Sequence, residues 1–179
     1  ALIDRVDEFK ILGVIMSSDL TWSRHIEYIL ARANKRIFAI CQLVRCGFDH
    51  NDIVTVYCSL IRPVLEYASQ VWHSGLTKTQ SDEIERVPRR CLHIIYPQLS
   101  YSNTRVLSAL QLLSVRRENA VIKLFNEIKN PSHVLHYLLP MKPSRNGSVT
   151  RDKYPFELKC GKTSRRTHSM IYYCIGKRV

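Results

Sequence analysis

The sequence predicts a mainly α protein: a helical bundle preceded by one short β-strand and followed by an irregular basic tail. Three observations carry this. Apolar residues recur at steps of three and four through most of residues 22–139. A single alternating run, FKILGVIM at residues 9–16, stands before them. From Met141 onward the period is lost, and Pro, Ser, Asn, Gly and basic residues take over. The expected division is therefore 1–18 strand, 19–140 helical domain and 141–179 basic linker and poorly ordered tail.

Each element has a local reason. In the strand both faces are apolar after Lys10, so it reads as buried, with Gly13 at a bulge or close backbone approach. Ser17-Ser18-Asp19 ends it, and Asp19 or Thr21 is placed to cap a long helix from about Trp22 to Arg45. That helix turns Ile26, Ile29, Leu30, Ala33, Ile37 and Ile40 inward and stops at Gly47. Asp49 or Asn51 caps the next helix, which Pro63 kinks or restarts before Trp72 and Gly75. Thr79 or Ser81 opens a helix through Ile84, Val87, Cys91, Leu92 and Ile95; Ser102 opens another through Leu110. A last helix runs from Val115 to Lys129 with Val121, Phe125 and Ile128 inward, and a short turn precedes Pro140. A lone strand cannot satisfy its own backbone, so its partner is expected upstream of Ala1.

The 179 residues are 45% apolar, enough for a core, and carry a net charge of +12. The segment from Met141 on holds ten basic and two acidic residues. This balance favours a polyanion, RNA or DNA, over a membrane surface. No run reaches the roughly 20 apolar residues that span a bilayer, and no secretory signal is evident, so an intracellular chain is expected. The six Cys form no C-x-x-C pair and read as reduced thiols, not a disulfide or zinc framework.

Chemistry is sparse. Two-metal nucleotidyl transfer needs paired carboxylates, and no Asp-Asp or Phe/Tyr-x-Asp-Asp is present. Cys160-Gly161-Lys162-Thr163 lacks the upstream glycine and strand of a phosphate-binding loop. His25-x-Glu27 has the spacing of two iron ligands but lies on a predicted helix. The basic rows say more: Arg32, Lys35 and Arg36 on the first long helix, Arg86, Arg89 and Arg90 on the helix through Cys91, and Arg116, Arg117 and Lys123 on the last. Such rows can follow a phosphate backbone.

The strings FKILGVIMSSDLTWSRHI, NKRIF, VYCSLIRPVLEYASQVWH and RRCLHIIYP, in this order, resemble the C-terminal part of reverse transcriptases from jockey-like non-LTR retrotransposons, over about Phe9 to Pro140. The resemblance implies that residues 1–18 end the polymerase palm as the primer-grip strand, with Phe9, Leu12, Gly13 and Val14 at the grip. Gly13 would let a nucleic-acid backbone approach. The helices of 19–140 would be a thumb holding an RNA/DNA template–primer duplex through Arg32, Lys35, Arg36, Arg86, Arg89, Arg90, Arg116 and Arg117. The upstream palm and fingers would be the protein partners. The catalytic carboxylates and their Mg belong to palm strands that precede this strand in the family, so no catalytic residue and no cofactor is expected in this chain. Two positions depart from the family pattern. Pro88 stands where an unbroken helix is expected, at a cost of about 3 kcal/mol, and Tyr172 stands where relatives tend to have Pro. Such drift fits a decayed copy, and Pro88 with the unpaired strand points to marginal stability. Two other readings remain open: a helical protein-interaction module, and a helical accessory of a tRNA-modifying or other nucleic-acid enzyme.

Overall fold

The computed structural model describes residues 5–140, Phe156 and residues 168–177; the expected linker and most of the expected tail lie outside the described residues. The chain is mainly helical, with one small antiparallel sheet at its N-terminal end. It divides into two compact units: Ala1–Ser69 with Leu76–Arg117, and Gln70–Gly75 with Glu118–Val179.

In the first unit the alternating run is two strands, not one. β1 (Glu8–Ile11) pairs antiparallel with β2 (Val14–Ser17), in the register Phe9 opposite Met16 and Ile11 opposite Val14. Leu12 and Gly13 form the turn, with φ of +46° and +86°. Two positive φ values match the right-handed twist of a two-residue hairpin. The run thus satisfies its ladder with itself, which corrects the expectation of an upstream partner. The dipeptide Leu-Gly hid the turn, because leucine disfavours positive φ and the usual signal there is Asn-Gly or Asp-Gly. A contact from far along the chain holds it: the Tyr67 hydroxyl donates to the Leu12 carbonyl at 2.9 Å.

Helix α1 (Ser23–Arg45) buries Ile26, Ile29, Ala33, Ile37 and Ile40 along one stripe. It carries no side-chain cap; the Asp19 carboxylate instead accepts from the Thr21 amide and hydroxyl, each at 3.0 Å, in a turn ahead of the helix. Its other end closes as expected. Gly47, at φ +74°, donates to Val44, and Phe48 donates to Leu43, which is a Schellman closure. The Asp49 carboxylate caps α2 (His50–Val56) through the Asn51 amide at 2.8 Å. A single π-turn, Tyr57–Ile61, then leads into α3 (Arg62–Glu66). The π-turn answers Pro63, which has no N–H to offer and whose ring would strike the carbonyl one turn back. Widening that turn moves the carbonyl aside, and the Arg62 amide reaches back to Tyr57.

A short helix, α4 (Ser69–Trp72), follows. Helix α5 (Lys78–Ile95) begins two residues earlier than the sequence suggested. Thr77 and Gln80 form a reciprocal capping box, at 3.2 and 3.0 Å. The helix runs unbroken through Pro88, which is buried with Ile84, Val87, Cys91, Leu92 and Ile95 on its inward face. Burial of that face, each large side chain worth about 1.5–3 kcal/mol, offsets the bond lost at the proline. Ser100, not Ser102, caps α6 (Tyr101–Leu107). This helix also closes in a Schellman turn, but with Ala109 at φ +51° in place of glycine. Helix α1 is the hub of the unit, packing against β2, α2, the π-turn, α3 and α5.

Helix α7 (Leu113–Ile128) continues into the second unit, whose core joins Val121 and Phe125 to Cys174 and Ile175 of α8 (Met170–Gly176). Leu139, Phe156, Met170, Ile171 and Tyr173 pack around them. The described end of the expected tail is therefore helical and partly buried, a correction to the reading of an irregular tail. Its apolar residues Ile171, Cys174 and Ile175 lie at helical steps of three and four, a stretch too short to stand out by period. Burial pushes the Cys174 thiol up to about 11 and the Cys91 thiol up to about 12, so both behave as inert core groups.

Two outcomes follow from this local chemistry. Gly47 has open space around its Cα, so Gly47→Ala meets only backbone strain and lowers stability by about 1 kcal/mol, whereas Ala109→Gly raises it by a similar amount; denaturant melts read both. The buried His25 accepts the Ile15 amide proton on Nδ1 at 3.3 Å, which ties β2 to α1. Burial lowers its pKa below the usual 6.5, so the unfolded chain binds the proton more readily. Its contribution is full above pH 6.5 and is lost as pH falls through the lower folded value. The denaturation midpoint of His25→Phe therefore changes less than wild type between pH 7 and 5.

Candidate nucleic-acid interface

The hairpin places its four expected grip residues in different settings. Leu12 is at the tip and 87% exposed, Phe9 is exposed, and Val14 is in the core. Gly13 does allow a close approach, but to protein: a Cβ there would lie 3.2 Å from the Tyr67 ring. The neighbour that a side chain at Gly13 would meet is the Tyr67 ring.

On α1, Arg32 and Lys35 are exposed, while Arg36 is half-buried and donates to the Leu60 carbonyl of the π-turn. On α5, Arg86, Arg89 and Arg90 are all exposed. Arg86 and Arg90 line a groove with Glu83, Val87 and, across from them, Leu30 and Asn34 of α1. At 100° per residue, Arg36 sits on the opposite flank of α1 from Asn34. The two basic rows therefore border α1 on either side and do not converge on one point. Arg89 lies over the Tyr101 ring, 5.0 Å from its centroid.

The α7 pair is corrected by the structure. Arg117 is fully buried and donates to the Ser81 hydroxyl at 3.2 Å. Burial lowers its pKa, and the charges of Glu85 and Glu66 oppose that shift. Arg116 is engaged through two nitrogens by the Glu66 carboxylate. The Arg117 guanidinium is enclosed, and that of Arg116 is paired within the protein. The reason is helical phase: Leu113, Arg117, Val121 and Phe125 stand four apart on the buried face. That spacing was legible, but a basic residue on an apolar face is easily read as surface.

The sequence also missed a cluster on the hairpin side of α1. Lys10 of β1 and Arg32 of α1 both donate to the Tyr28 hydroxyl, at 2.9 and 3.3 Å, and both cations lie over its ring. Only the hairpin makes this possible, because it folds Lys10 back onto α1. Among the described residues, no group of three or more His, Cys, Asp or Glu comes together to hold a metal, and no helix is long and apolar enough to cross a membrane.

The division between buried and exposed cations is testable. Arg117→Gln leaves Glu85 short of its compensating charge and destabilises by about 3 kcal/mol or more, whereas Lys35→Gln changes stability by less than about 0.5 kcal/mol; denaturant melts compare them. A scan against protein-family models, a search of curated proteins and a search of solved structures each return no match to this chain.

Proposed function

We propose that this chain holds an RNA/DNA template–primer duplex, as the primer-grip and thumb segment that follows the catalytic palm of a non-LTR retrotransposon reverse transcriptase. It contributes no nucleotidyl-transfer chemistry of its own in this reading; the carboxylates and Mg belong to the upstream palm. The observation that carries the reading is the set of exposed cations on α1 and α5. Arg32, Lys35, Arg86, Arg89 and Arg90 form no ion pair with a carboxylate among the described residues, whereas Arg24, Arg62 and Arg116 do. Exposed, uncompensated cations on packed helices are what a phosphate backbone requires. The motif resemblance over Phe9 to Pro140 supplies the family.

A protein-interaction module is the second reading, and the hairpin favours it. Phe9, Ile11 and Leu12 leave an apolar surface exposed at 59, 46 and 87%. Within the first reading the same surface is where the upstream palm would continue.

Fluorescence anisotropy with a short RNA–DNA hybrid tests the proposal. Binding is expected to be sequence-independent and to fall steeply with salt, with a log–log slope of about −4.5 if these five cations each displace a counterion. Arg86→Gln with Arg90→Gln makes the slope shallower by roughly two. Retention independent of salt, or none at low salt, overturns the reading.

A further inference from the structure

We infer that Lys10, Tyr28 and Arg32 form an anion site that takes one phosphate group, supplied by a nucleic-acid strand. The source of the phosphate rests on the proposed function; the site itself rests on geometry. Lys10 Nζ and an Arg32 guanidinium nitrogen lie 2.9 and 3.3 Å from one oxygen, so the two cations stand within about 6 Å of each other. Among the described residues, no carboxylate forms an ion pair with either of them. The acidic residues of β1 and α1 are Glu8 and Glu27, and Arg24 engages both, at 2.8 and 3.2 Å. Lys10 and Arg32 are exposed and Tyr28 is half-buried, so the cluster opens to solvent.

The donor inventory points the same way. The Tyr28 oxygen accepts two hydrogen bonds, which fills its acceptor capacity. Its own proton has no acceptor among the described residues. Lys10 retains two further N–H donors and Arg32 four. Two cations and a hydroxyl donor around one point match a phosphate group, whose non-bridging oxygens accept several bonds at once. The Lys10 bond, with Arg32 beside it, also holds the Tyr28 phenol below its ordinary pKa.

A second cluster shows what a compensated site looks like. Arg89 and Arg105 flank the Tyr101 ring, but the Tyr101 hydroxyl donates to Glu85 at 2.9 Å and Arg105 also donates to the Leu110 carbonyl. There the carboxylate takes the place of the anion. At Tyr28 no carboxylate among the described residues takes that place.

The test uses the full chain with labelled tyrosine, the Tyr28 signal being assigned by Tyr28→Phe. Titration with inorganic phosphate is expected to shift that signal saturably. Lys10→Gln with Arg32→Gln abolishes the shift, and the charge-preserving pair Lys10→Arg with Arg32→Lys retains it. No shift in wild type, or one that survives loss of both charges, overturns the site. In a second arm the neutral pair binds an RNA–DNA hybrid about tenfold more weakly at 0.1 M salt, with a slope shallower by about one. An unchanged slope overturns the assignment of the phosphate to nucleic acid. A wild-type chain that keeps the Tyr28 response but retains no hybrid overturns the template–primer reading and leaves the anion site supported.

Discussion

Burial of one stripe on α1 is the constraint on which the first unit depends. Ile26, Ile29, Ala33, Ile37 and Ile40 face inward over the length of a 23-residue helix, and Ala33 is fully buried. A small residue at mid-stripe lets neighbouring backbones come close. Strand β2, α2, the π-turn, α3 and α5 all pack against this helix. Large side chains such as Tyr57, Ile61, Leu65, Ile84 and Leu92 complete the core. At about 25 cal/mol per Å² of apolar area, burial on this scale can hold local conformations that would not persist alone.

Three such conformations are visible. The hairpin places Leu12 at positive φ, α3 is entered through a π-turn, and α5 carries a buried proline at its centre. Each costs on the order of 1–3 kcal/mol in isolation. Each is also gripped from elsewhere in the chain: Tyr67 bonds the Leu12 carbonyl, Arg36 bonds the Leu60 carbonyl within the π-turn, and α1 packs on α5. Local reading marks such features as breaks or as signs of decay. The tertiary structure makes them joints.

The charges divide by the same logic. Arg117 lies on an apolar helical phase and is drawn inside, where Glu85 and Glu66 favour its charged form. Arg116 and Arg24 are engaged by carboxylates. Exposed in the first unit and without a carboxylate partner among the described residues are Arg32 and Lys35 on α1, Arg86, Arg89 and Arg90 on α5, and Lys10 on the hairpin, together with Arg5, Arg45 and Lys78. A uniform count of basic residues would have weighed all of these alike. Their worth to an anionic partner depends on which are already compensated, because an ion pair within the protein must be broken before the cation serves a phosphate.

Read alone, the sequence determined the helical class, the long first helix, its glycine stop at Gly47, a cap at Asp49 or Asn51 and most of the inward-facing residues. Those follow from 3.6-residue periodicity and local capping chemistry, which act over a few neighbours. It could not decide that FKILGVIM doubles back, since the turn lacks its usual residues and is held by Tyr67. It could not decide that Met170–Gly176 packs as a helix, because seven helical residues gain their stability from Val121 and Phe125 rather than from their own propensity. Nor could it pair Lys10 with Arg32 across Tyr28. That pairing exists only once the hairpin lies on α1, and contacts of this kind are set by packing between distant segments.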